Sequence, residues 1–565
     1  MITRRDFLGA AAAASAICAA GGLGPLARAA ARQTLTQADI LRFEAAGRAT
    51  ILFTADLHAQ LTPLHFREPA VNPGVGAARG LPPHLTGEAF RQWFSIAAGG
   101  PEAFAFTADD FIELARVYGR MGGVDRIATL VNAVRAERGG ENVLLLDGGD
   151  ALQGSWSALR SQGQDMVDVL SALGVEAMTG HWEFTYGAER VKQIAETAPF
   201  AFLAQNIRDV DWREPVFAPR TLFEKGDARI AVIGEALPRA GVTNPRWMFP
   251  NWEFGIREDD LQREVQAART EGANVVVLLS HCGYDLDRKL AARVRGIDII
   301  LCAHTHDALP ALTRVGDTAL VAAGSHGKFV ARLDLDMRAG KLADIRFKLM
   351  PVFADAIAPD AQMAALVTKL RAPFAAELAQ VYGHAEALLS RRGAFNGGFD
   401  DLICQAMMRE RDTEFALSPG FRWGAALLPG DAVTFEAITN ATAITYPACY
   451  RSQMTGAQIK ALLEDVADNI FNPDPYYQSG GDMVRAGGFS YAIDLSQPIG
   501  ARISDLTHVK TGALLDASRA YTVSGWASLD EHVQGPPIWD VVRDYVARDG
   551  AAIIEPGALV RVVGD

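Results

Sequence analysis

Seven aspartate and histidine side chains follow short apolar runs of the sequence, and both residue types bind divalent metal ions. They are Asp56, His58, Asp150, His181, His281, His304 and His306. The apolar runs predict buried strands, and in layered α/β sheets ligands collect in the crevice outside the carboxyl ends of the strands. We therefore expect the seven side chains to meet at one site.

The number and type of these side chains predict two metal ions rather than one. If Asp150 bridges, each ion receives four protein ligands. Ions in dinuclear sites lie about 3.5–4 Å apart. Carboxylate and imidazole ligands suit Mn, Fe or Zn, and they do not choose among the three.

Each of these motifs also has a purely structural interpretation. An Asp-x-His pair after a strand can cap a helix or form a turn, and a single histidine such as His281 is more often a core residue. His304 and His306 would share one face on a strand but not on a loop. Five such motifs at five predicted strand ends favour the metal site over five separate coincidences.

The size and charge of the chain limit the classes of protein to consider. The chain has 565 residues and a net charge of −13. This length predicts two or three domains. The negative charge argues against a nucleic-acid-binding protein, which would carry a basic face. It does not exclude an anionic substrate, because metal ions and a few arginines can reverse the local charge.

The first 29 residues have the composition of an export signal. Residues 3–8 resemble the twin-arginine motif, an Ala-rich apolar stretch follows, and residues 27–29 fit a small-x-small cleavage site. We expect export to the periplasm by the twin-arginine route, with a short membrane anchor as the alternative. No later segment has the ~18 consecutive apolar residues of a spanning helix, so we expect no membrane association after signal cleavage.

The rest of the sequence predicts two domains. Alternating apolar runs and helical stretches predict a layered α/β domain over 45–355, with an insertion at about 62–118. A helical, charged stretch within 356–384 is predicted to link it to an α+β domain over 385–565. A long insertion close to a site is typical of a functional loop or a lid.

Several individual elements are also predicted. The expected helices include 123–138, 259–270 and 456–469, and the expected strands in the second domain include 434–438, 443–446 and 521–525. Four cysteines lie beyond the signal, at positions 282, 302, 404 and 449. Four cysteines in over 500 residues do not make a disulfide scaffold. We interpret Cys282 and Cys302 as small buried residues, and a disulfide or a metal role stays open.

The order of the motifs resembles that of a known superfamily. D-x-H, G-D, G-[NH]-x-E, S-H and [GA]-H-[ST]-[HQ] follow one another as in the 5′-nucleotidase branch of the calcineurin-like metallophosphoesterases. The resemblance implies a four-layer α/β metallophosphoesterase-like domain, a linker helix and a 5′-nucleotidase-type substrate-specificity domain. Arg422, within residues 417–424, lies where that family carries an anion-binding arginine.

Two segments are more specific and resemble the SoxB family of thiosulfohydrolases. They are residues 54–61 and residues 180–185. This resemblance implies two Mn²⁺ ions, with Zn²⁺ or Fe²⁺ not excluded, and a carrier substrate, the SoxY protein in complex with SoxZ. The implied reaction uses a metal-activated water to hydrolyse the terminal sulfonate from a cysteine S-thiosulfonate on the carrier, which releases sulfate.

The sequence departs from the nucleotidases at one motif. The nucleotidase motif is G-N-H-E-x-D, and residues 180–185 of this chain read G-H-W-E-F-T. His181 therefore replaces Asn, Trp182 replaces the catalytic His, and Thr185 replaces Asp. Indole cannot ionise, so the acid that assists an alkoxide leaving group is absent. Sulfur anions leave with little protonation, which favours S–S cleavage over phosphate-ester cleavage. A decayed or drifted phosphatase site is the alternative.

The resemblance gives roles to four residues around the reaction. Asp150 would bridge the ions. The first ligand set would be Asp56, His58, Asp150 and His306, and the second ligand set would be Asp150, His181, His281 and His304. Arg422 would hold sulfonate oxygens. Glu183 is expected to orient a ligand histidine. Trp182 is expected to line the passage for the carrier arm, although a packed tryptophan fits equally well. One polypeptide supplies all of these residues, so we expect a monomer.

Two other classes of protein remain open at this point. A periplasmic 5′-nucleotidase or related phosphoesterase would need aromatic rings that stack on a base. Phe489, Tyr491, Tyr476 and Tyr477 could supply them. An exported binding protein could instead use the metals structurally, and its site would be closed.

Overall fold

A computed structural model describes residues 35–551 and 559–564 of the chain. The predicted signal over residues 1–29 lies outside these ranges. Within the part that is described, no helix combines the length and the apolar composition that crossing a bilayer requires.

The first half of the chain folds around two six-stranded sheets. Its strands are β1 (Ala49–Thr54), β2 (Val143–Asp147), β3 (Ala177–Met178), β4 (Ala201–Phe202), β5 (Ile207–Asp209), β6 (Arg220–Lys225), β7 (Ala228–Glu235), β8 (Trp252–Phe254), β9 (Val275–Ser280), β10 (Ile299–Cys302), β11 (Thr313–Val315), β12 (Thr318–Ala322), β13 (Phe329–Arg338) and β14 (Lys341–Pro351). The runs of Val, Ile and Leu that predicted β1, β2, β9 and β10 are buried along their whole length, as strands in the middle of a covered sheet are.

The central strands of both sheets are parallel, and the edge strands β14, β11 and β6 are antiparallel to their neighbours, whereas the edge strand β4 is parallel to β3. One has the order β14-β13-β1-β2-β3-β4, and the other has the order β11-β12-β10-β9-β7-β6. β1 pairs with β2 in parallel from Thr50–Val143 to Thr54–Asp147, and β9 pairs with β10 in parallel. The carboxyl ends of the central strands therefore lie at the same edge of each sheet. Strands β5 and β8 form a separate ribbon.

Helices flank the sheets and complete a four-layer α/β domain. They are α1 (Gln37–Leu41), α2 (Gly87–Phe94), α3 (Pro101–Phe106), α4 (Phe111–Tyr118), α5 (Val124–Arg138), α6 (Trp156–Ser161), α7 (Gln164–Leu173), α8 (Ala188–Thr197), α9 (Ala240–Thr243), α10 (Glu258–Thr270) and α11 (Tyr284–Arg293). The predicted helices at 123–138 and 259–270 are α5 and α10, each displaced by one residue at its start.

The insertion at 62–118 begins as an irregular segment, continues with three short helices and packs against the domain. It contains α2, α3 and α4, and its apolar side chains belong to the main core. Lys328, which is buried, donates hydrogen bonds to Glu68 (2.5 Å) and to the carbonyl of Ala105 (2.9 Å). A buried charge needs such partners, so this pair fixes the insertion to the sheet.

The second half of the chain mixes small sheets with longer helices. Its helices are α12 (Ala361–Arg371), α13 (Ala375–Leu378), α14 (Gly398–Arg411), α15 (Phe435–Thr442), α16 (Gly456–Ile470) and α17 (Ile538–Asp549). Its strands are β15 (Val381–His384), β16 (Phe415–Ser418), β17 (Ala432–Thr434), β18 (Cys449–Thr455), β19 (Arg485–Gly487), β20 (Phe489–Asp494), β21 (Ile503–His508), β22 (Ala520–Trp526) and β23 (Val560–Val563). The sheets have the orders β18-β22-β16-β19, β21-β20-β23 and β15-β17. Helices α12 and α13 lie in the segment predicted as a linker, and the domain limits stay a prediction.

Two strand predictions in this half were wrong. The segment 434–438 is the start of α15, because the Thr434 side chain accepts a hydrogen bond from the N–H of Ala437 and caps a helix. The segment 443–446 has no strand pairing and follows the end of that helix. The predicted strand 521–525 and helix 456–469 correspond to β22 and α16. Cys282, Cys302, Cys404 and Cys449 are all buried free thiols, as two of them were interpreted to be.

Candidate metal centre

The structure brings all seven predicted ligand side chains together. One group that could hold a metal ion consists of Asp150, His181, His281 and His304, and another consists of Asp56, His58, Asp150 and His306. Within each group the potential ligand atoms lie within 4.8 Å of one another, and every member is buried. These are the two predicted ligand sets, and they share Asp150.

The two sheets supply the ligands from the carboxyl ends of five strands. Asp56 and His58 follow β1, Asp150 follows β2 and His181 follows β3, all in one sheet. His281 follows β9, and His304 and His306 follow β10 in the other sheet. The site therefore lies in the crevice where the strand ends of the two sheets meet.

Five of the ligand residues have a left-handed backbone. Their φ angles are 51° at Asp56, 45° at His58, 54° at Asp150, 74° at His304 and 60° at His306. Residues other than glycine adopt this region rarely and at a cost. The surrounding contacts hold these five residues in the left-handed region. Such local strain is typical of functional sites, where the geometry of the side chains matters.

Gly149 allows the ligand loops to approach one another. Its φ is +90°, and a Cβ atom there would lie 2.7 Å from the carbonyl oxygen of Thr179 and 3.1 Å from Nδ1 of His281. A larger residue at position 149 would clash with the neighbouring loops, which explains why glycine precedes Asp150. The glycine lets the loops after β2, β3 and β9 close around Asp150.

His281 is oriented for metal binding by a backbone carbonyl. Its Nδ1 lies 2.7 Å from the carbonyl oxygen of Gly148 and donates its proton there. Its Nε2 is buried without a hydrogen-bond partner and lies 3.2 Å from Asp150 Oδ2 and 3.9 Å from Asp56 Oδ1. A buried nitrogen facing two carboxylates fits a cation between them.

His58 and His306 face each other in a way that also fits a cation. Nδ1 of His58 lies 3.2 Å from the carbonyl oxygen of Gln153, which leaves Nε2 as the inward atom. That Nε2 lies 3.0 Å from Nε2 of His306. Two imidazole nitrogens can share this space through one proton or, as in the first ligand set, by binding one ion. The donor set therefore suits a pair of divalent metals of the Mn, Fe or Zn type.

The electrostatics of the site divide the histidines into two kinds. Burial lowers the pKa of His58 to about 4 and lowers those of His304 and His306 well below the usual value, so these rings are neutral. Burial also acts against the charged form of His281, but Asp150 and Asp56 outweigh it and raise its pKa to about 10. His281 thus carries a positive charge while metal is absent.

The two carboxylates respond to the same charges in opposite directions. Burial would raise the pKa of Asp150, but His281 and His181 outweigh it and hold that pKa well below the usual value. For Asp56, burial prevails over the attraction of His281 and raises the pKa. Asp150 is therefore the permanent anion of the pair, which is the property a bridging ligand needs.

Glu183 holds the loops that carry two of the ligands. Its carboxylate accepts hydrogen bonds from the N–H groups of Ala151 (2.9 Å), Leu152 (3.2 Å) and His181 (2.9 Å). It also lies 3.3 Å from the N–H of Asp150. The side chain is fully buried, so its contacts are with the backbone around the ligands.

A cavity of about 180 Å³ opens onto the ligands, and we call it the metal cavity. His58, Asp150, His181, His304 and His306 line it on one side. Trp182, Thr243, Asn244, residues 420–423 and residues 479–482 complete its wall. Both halves of the chain therefore contribute to the space in front of the ligands.

Arg422 lies in the wall of the metal cavity. Its Nη2 donates to the carbonyl oxygen of His304 over 2.6 Å, and its Nη1 lies 3.5 Å from that of Thr305. The guanidinium has five N–H donors, so these contacts leave others for an anion. Burial lowers its pKa, and the group is still a cation at neutral pH because its ordinary pKa is so high.

The loop at residues 479–482 closes directly over a ligand. The carbonyl oxygen of Ser479 lies 3.2 Å from Nε2 of His304 and accepts its proton, so Nδ1 of that ring is the atom free to bind metal. A Cβ atom at Gly480 would lie 2.0 Å from the same Nε2. Only glycine lets this loop pass so close to the ring.

Comparisons with known proteins agree with this architecture. The chain matches the family model of the calcineurin-like phosphoesterases over residues 49–308 and that of the 5′-nucleotidase C-terminal domain over residues 381–535. It is similar to the solved structure of the sulfate thiohydrolase SoxB from Thermus thermophilus in complex with glycerol, with 35% identity and a TM-score of 0.88. That match covers 93% of this chain and 98% of the other chain.

The chain belongs to the SoxB family. It thereby belongs to a branch of the metal-dependent hydrolases with a calcineurin-like phosphoesterase domain. A 5′-nucleotidase precursor, also from Thermus thermophilus, has the same fold, with a TM-score of 0.72 at 21% identity, and the match covers 92% of this chain and 99% of the precursor.

Curated relatives found by sequence include 5′-nucleotidases. The snake venom 5′-nucleotidase of Gloydius brevicauda is 31% identical over 212 residues, and human 5′-nucleotidase is 29% identical over 207 residues. The alignments cover 36% and 35% of this chain, and in both cases only 35% of the relative's length.

Trp182, which distinguishes the SoxB-like motif, packs against the second half of the chain. Its ring is edge-on to Phe421 (5.1 Å between centroids) and to Trp423 (4.8 Å). Thr185 donates a hydrogen bond to the carbonyl oxygen of Trp182 over 2.7 Å and is buried. The ionisable pair of the nucleotidase motif is thus replaced by an aromatic wall and a backbone contact.

The aromatic residues considered for base stacking lie elsewhere. Phe489 and Tyr491 are buried in a separate apolar core of the second half. Tyr476 hydrogen-bonds Glu258, and the Tyr477 ring is largely exposed. Three aromatic side chains line the metal cavity. Phe421 and Trp423 stack on each other with centroids 4.2 Å apart and leave no room for a base between them, and Trp182 lies edge-on to both.

Sequence reasoning missed three buried residues at the site. His326 lies 5.3 Å from the ring of His58 and 5.7 Å from that of His306, and its Nε2 accepts the N–H of Gly424. Trp423 stacks on His58 from the other half of the chain. Asn244 lies beside His181. His326 does follow an apolar run, the one that forms β12, and this pattern could have indicated it. Asn244 follows no such run.

Proposed function

We propose that this protein hydrolyses the terminal sulfonate from a cysteine S-thiosulfonate on the SoxY carrier, in complex with SoxZ, and releases sulfate. The observation that carries the proposal is a dinuclear ligand set next to Trp182 in a SoxB-type motif. The similarity to a sulfate thiohydrolase over nearly the whole of both chains supports it. The carrier, the periplasmic location and the monomeric state are parts of the proposal.

The seven ligands would hold two ions, which we propose to be Mn²⁺. Bound divalent ions lower the pKa of a coordinated water and so supply a nucleophile at neutral pH. Asp150 would serve both ions, because His281 and His181 hold its pKa well below the usual value. His281 and His58 would each give the inward nitrogen, since a backbone carbonyl already accepts the proton on the other nitrogen.

The metal cavity supports a reaction whose leaving group needs no proton. Apart from the ligands, its ionisable wall residues are Arg422 and Asp482. Asp482 forms an ion pair with Arg485 at 2.8 Å, and an arginine keeps its proton in proteins, so neither residue is suited to act as a general acid. A persulfide or thiolate leaves readily as an anion, whereas an alcohol does not.

Arg422 would bind the sulfonate in this scheme. The contacts to His304 and Thr305 hold its guanidinium at the edge of the metal cavity. A fixed cation with free N–H donors suits a tetrahedral oxyanion. A cavity of about 180 Å³ holds a small group and not a folded domain, which favours delivery of the substrate on an extended arm.

A paired assay tests the proposal. Metal-loaded protein is incubated with thiosulfonate-loaded SoxY–SoxZ and, separately, with AMP, and sulfate and phosphate are measured by ion chromatography. We expect sulfate release from the carrier and little phosphate from AMP. A carrier without its cysteine is the control for the substrate. Efficient AMP hydrolysis without sulfate release would instead favour the phosphoesterase alternative.

A further inference from the structure

Asn244 is a buried residue at the metal cavity, and only the oxygen atom of its side-chain amide has hydrogen-bond partners. It is the residue directly after α9, it is 2% exposed, and it lines the metal cavity. Its Oδ1 lies 3.2 Å from Nε2 of His181 and 2.9 Å from the hydroxyl of Thr243. Its Nδ2 is buried and has no hydrogen-bond partner.

The orientation of the amide follows from the role of His181. Nδ1 of His181 lies 3.3 Å from Asp150 Oδ2, on the side of the second ligand set. If Nδ1 binds metal, the proton of the neutral ring must be on Nε2, and the atom facing it must be an acceptor. Asn244 therefore presents Oδ1 to His181, and its NH₂ group is directed away from that ring.

A buried amide N–H without an acceptor is uncommon in folded proteins and calls for an explanation. Here the residue also lines the cavity in which a substrate would react. An oxygen of a tetrahedral anion would satisfy the free donor. Arg422, in the wall of the same cavity, would supply the charge, and the neutral amide would supply a directed hydrogen bond.

We propose that Asn244 is an oxyanion-binding residue, whose Nδ2 donates a hydrogen bond to a sulfonate or sulfate oxygen while its Oδ1 holds the Nε2–H of His181. The choice of sulfonate rests on the proposed function. The replacement of Asn by His at position 181 explains why His181 pairs with Asn244. The longer imidazole has a second nitrogen that needs an acceptor, and Asn244 provides it.

Equilibrium binding of sulfate to the manganese-loaded protein tests this assignment without turnover. Asn244→Ala removes both contacts without adding charge, and Asn244→Asp keeps the acceptor for His181 but loses the donor. We expect both to weaken sulfate binding by about 10- to 100-fold in calorimetry, the range for a hydrogen bond to a charged group. Asn142→Asp, at the opposite end of β2, is the matched control and should bind sulfate like the parent.

The same variants are checked for metal content and for the spin-coupled manganese signal at saturating Mn²⁺. Two ions per chain and an unchanged signal, together with weakened sulfate binding, support the assignment. Sulfate affinity within twofold of the parent in Asn244→Asp would overturn it, because a residue that only orients His181 would tolerate this change. Loss of metal in parallel with sulfate in both variants would overturn it as well.

The outcome is separable from that of the proposed function. If the parent binds sulfate and both variants do not, Asn244 keeps its role even when the carrier substrate is not hydrolysed. If the carrier is hydrolysed and the variants bind sulfate normally, the role of Asn244 is wrong and the proposed function stands. A parent protein that binds no sulfate would overturn the inference about Asn244.

Discussion

At the scale of single residues, three ligand histidines are oriented in the same way, by a hydrogen bond to a backbone carbonyl group. His58, His281 and His304 each give a ring N–H to a backbone carbonyl, at distances of 3.2, 2.7 and 3.2 Å. The hydrogen bond selects the tautomer and turns the other nitrogen toward the ligand sets. Carbonyl groups have no signature in a sequence, so this part of the site could not be predicted from it.

Asp150 is the residue on which both ligand sets depend. Asp150→Ala should lower the metal content below two ions per chain and reduce turnover by at least about a thousandfold, the scale expected for loss of a principal catalytic group. Plasma emission spectrometry and the sulfate-release assay measure the two effects. Asp168→Ala on an exposed helix face is the control. Turnover like that of the parent would refute the dinuclear scheme.

Metal binding should release protons, and the amount should depend on pH. The pKa of His281 is about 10 without metal, so below that pH an ion must displace a proton from the ring. The apparent metal affinity should therefore rise with pH, by about tenfold per unit for each proton released. Calorimetry at pH 7 in buffers of different ionisation enthalpy counts these protons. Release of none would contradict the raised pKa.

At the scale of elements, the strand ends were the most predictable feature. The apolar runs before Asp56, Asp150 and His281 are rich in β-branched residues or leucine, and the strands β1, β2 and β9 lie where these runs predicted them. The prediction failed at 434–438, where a threonine cap outweighed an apolar run. Asn244 could not be predicted, since no apolar run precedes it, whereas His326 follows the run that forms β12 and could have been considered.

The loop at residues 479–482 gives an element-scale prediction. Gly480→Ala would place a methyl group 2.0 Å from Nε2 of His304, at a φ of +67°. We expect the loop or the ring to move and the affinity of the second ligand set for metal to fall by about 10- to 100-fold. Gly512→Ala is a matched control, because its φ is +69° and its Cβ would meet nothing within 4 Å.

Both glycine variants carry the same backbone strain, of about 1 kcal/mol. Gly480→Ala alone adds the steric clash with His304, so it should lose more thermal stability than Gly512→Ala in the metal-free form, and only Gly480→Ala should lose metal affinity in a competition titration with a chelator. Equal metal affinity in the two variants would show that the close approach of this loop to His304 has no consequence for the ligand set.

At the scale of the whole molecule, the two halves of the chain meet at the ligands. Gln153 of the first half donates to the carbonyl oxygen of Ala443 (2.8 Å), and Arg392 of the second half donates to that of Thr305 (3.0 Å). Arg422 and Ser479, also of the second half, both contact His304. Two residues of the wall of the metal cavity are therefore hydrogen-bonded to His304, which we propose as a metal ligand.

This arrangement predicts that metal removal loosens the contact between the halves. At about a thousand times the dissociation constant, bound ions contribute about 4 kcal/mol to the free energy of unfolding, which corresponds to a Tm difference of roughly 5–10 °C. Hydrogen exchange in residues 420–424 and 479–482 should increase on chelation, because His304 loses its fixed position. Calorimetry and exchange mass spectrometry measure the two effects.

The β21 hairpin region at 503–515 provides the internal control for the exchange experiment. It lies on a different sheet, and its contacts do not involve the ligand residues. Its exchange should be the same with and without metal, and Asp150→Ala should reproduce the metal-free pattern in the two cavity loops. Unchanged exchange in those loops after complete metal removal would mean that the second half of the chain closes on the first without help from the ions, so that the cavity wall forms before the metals bind.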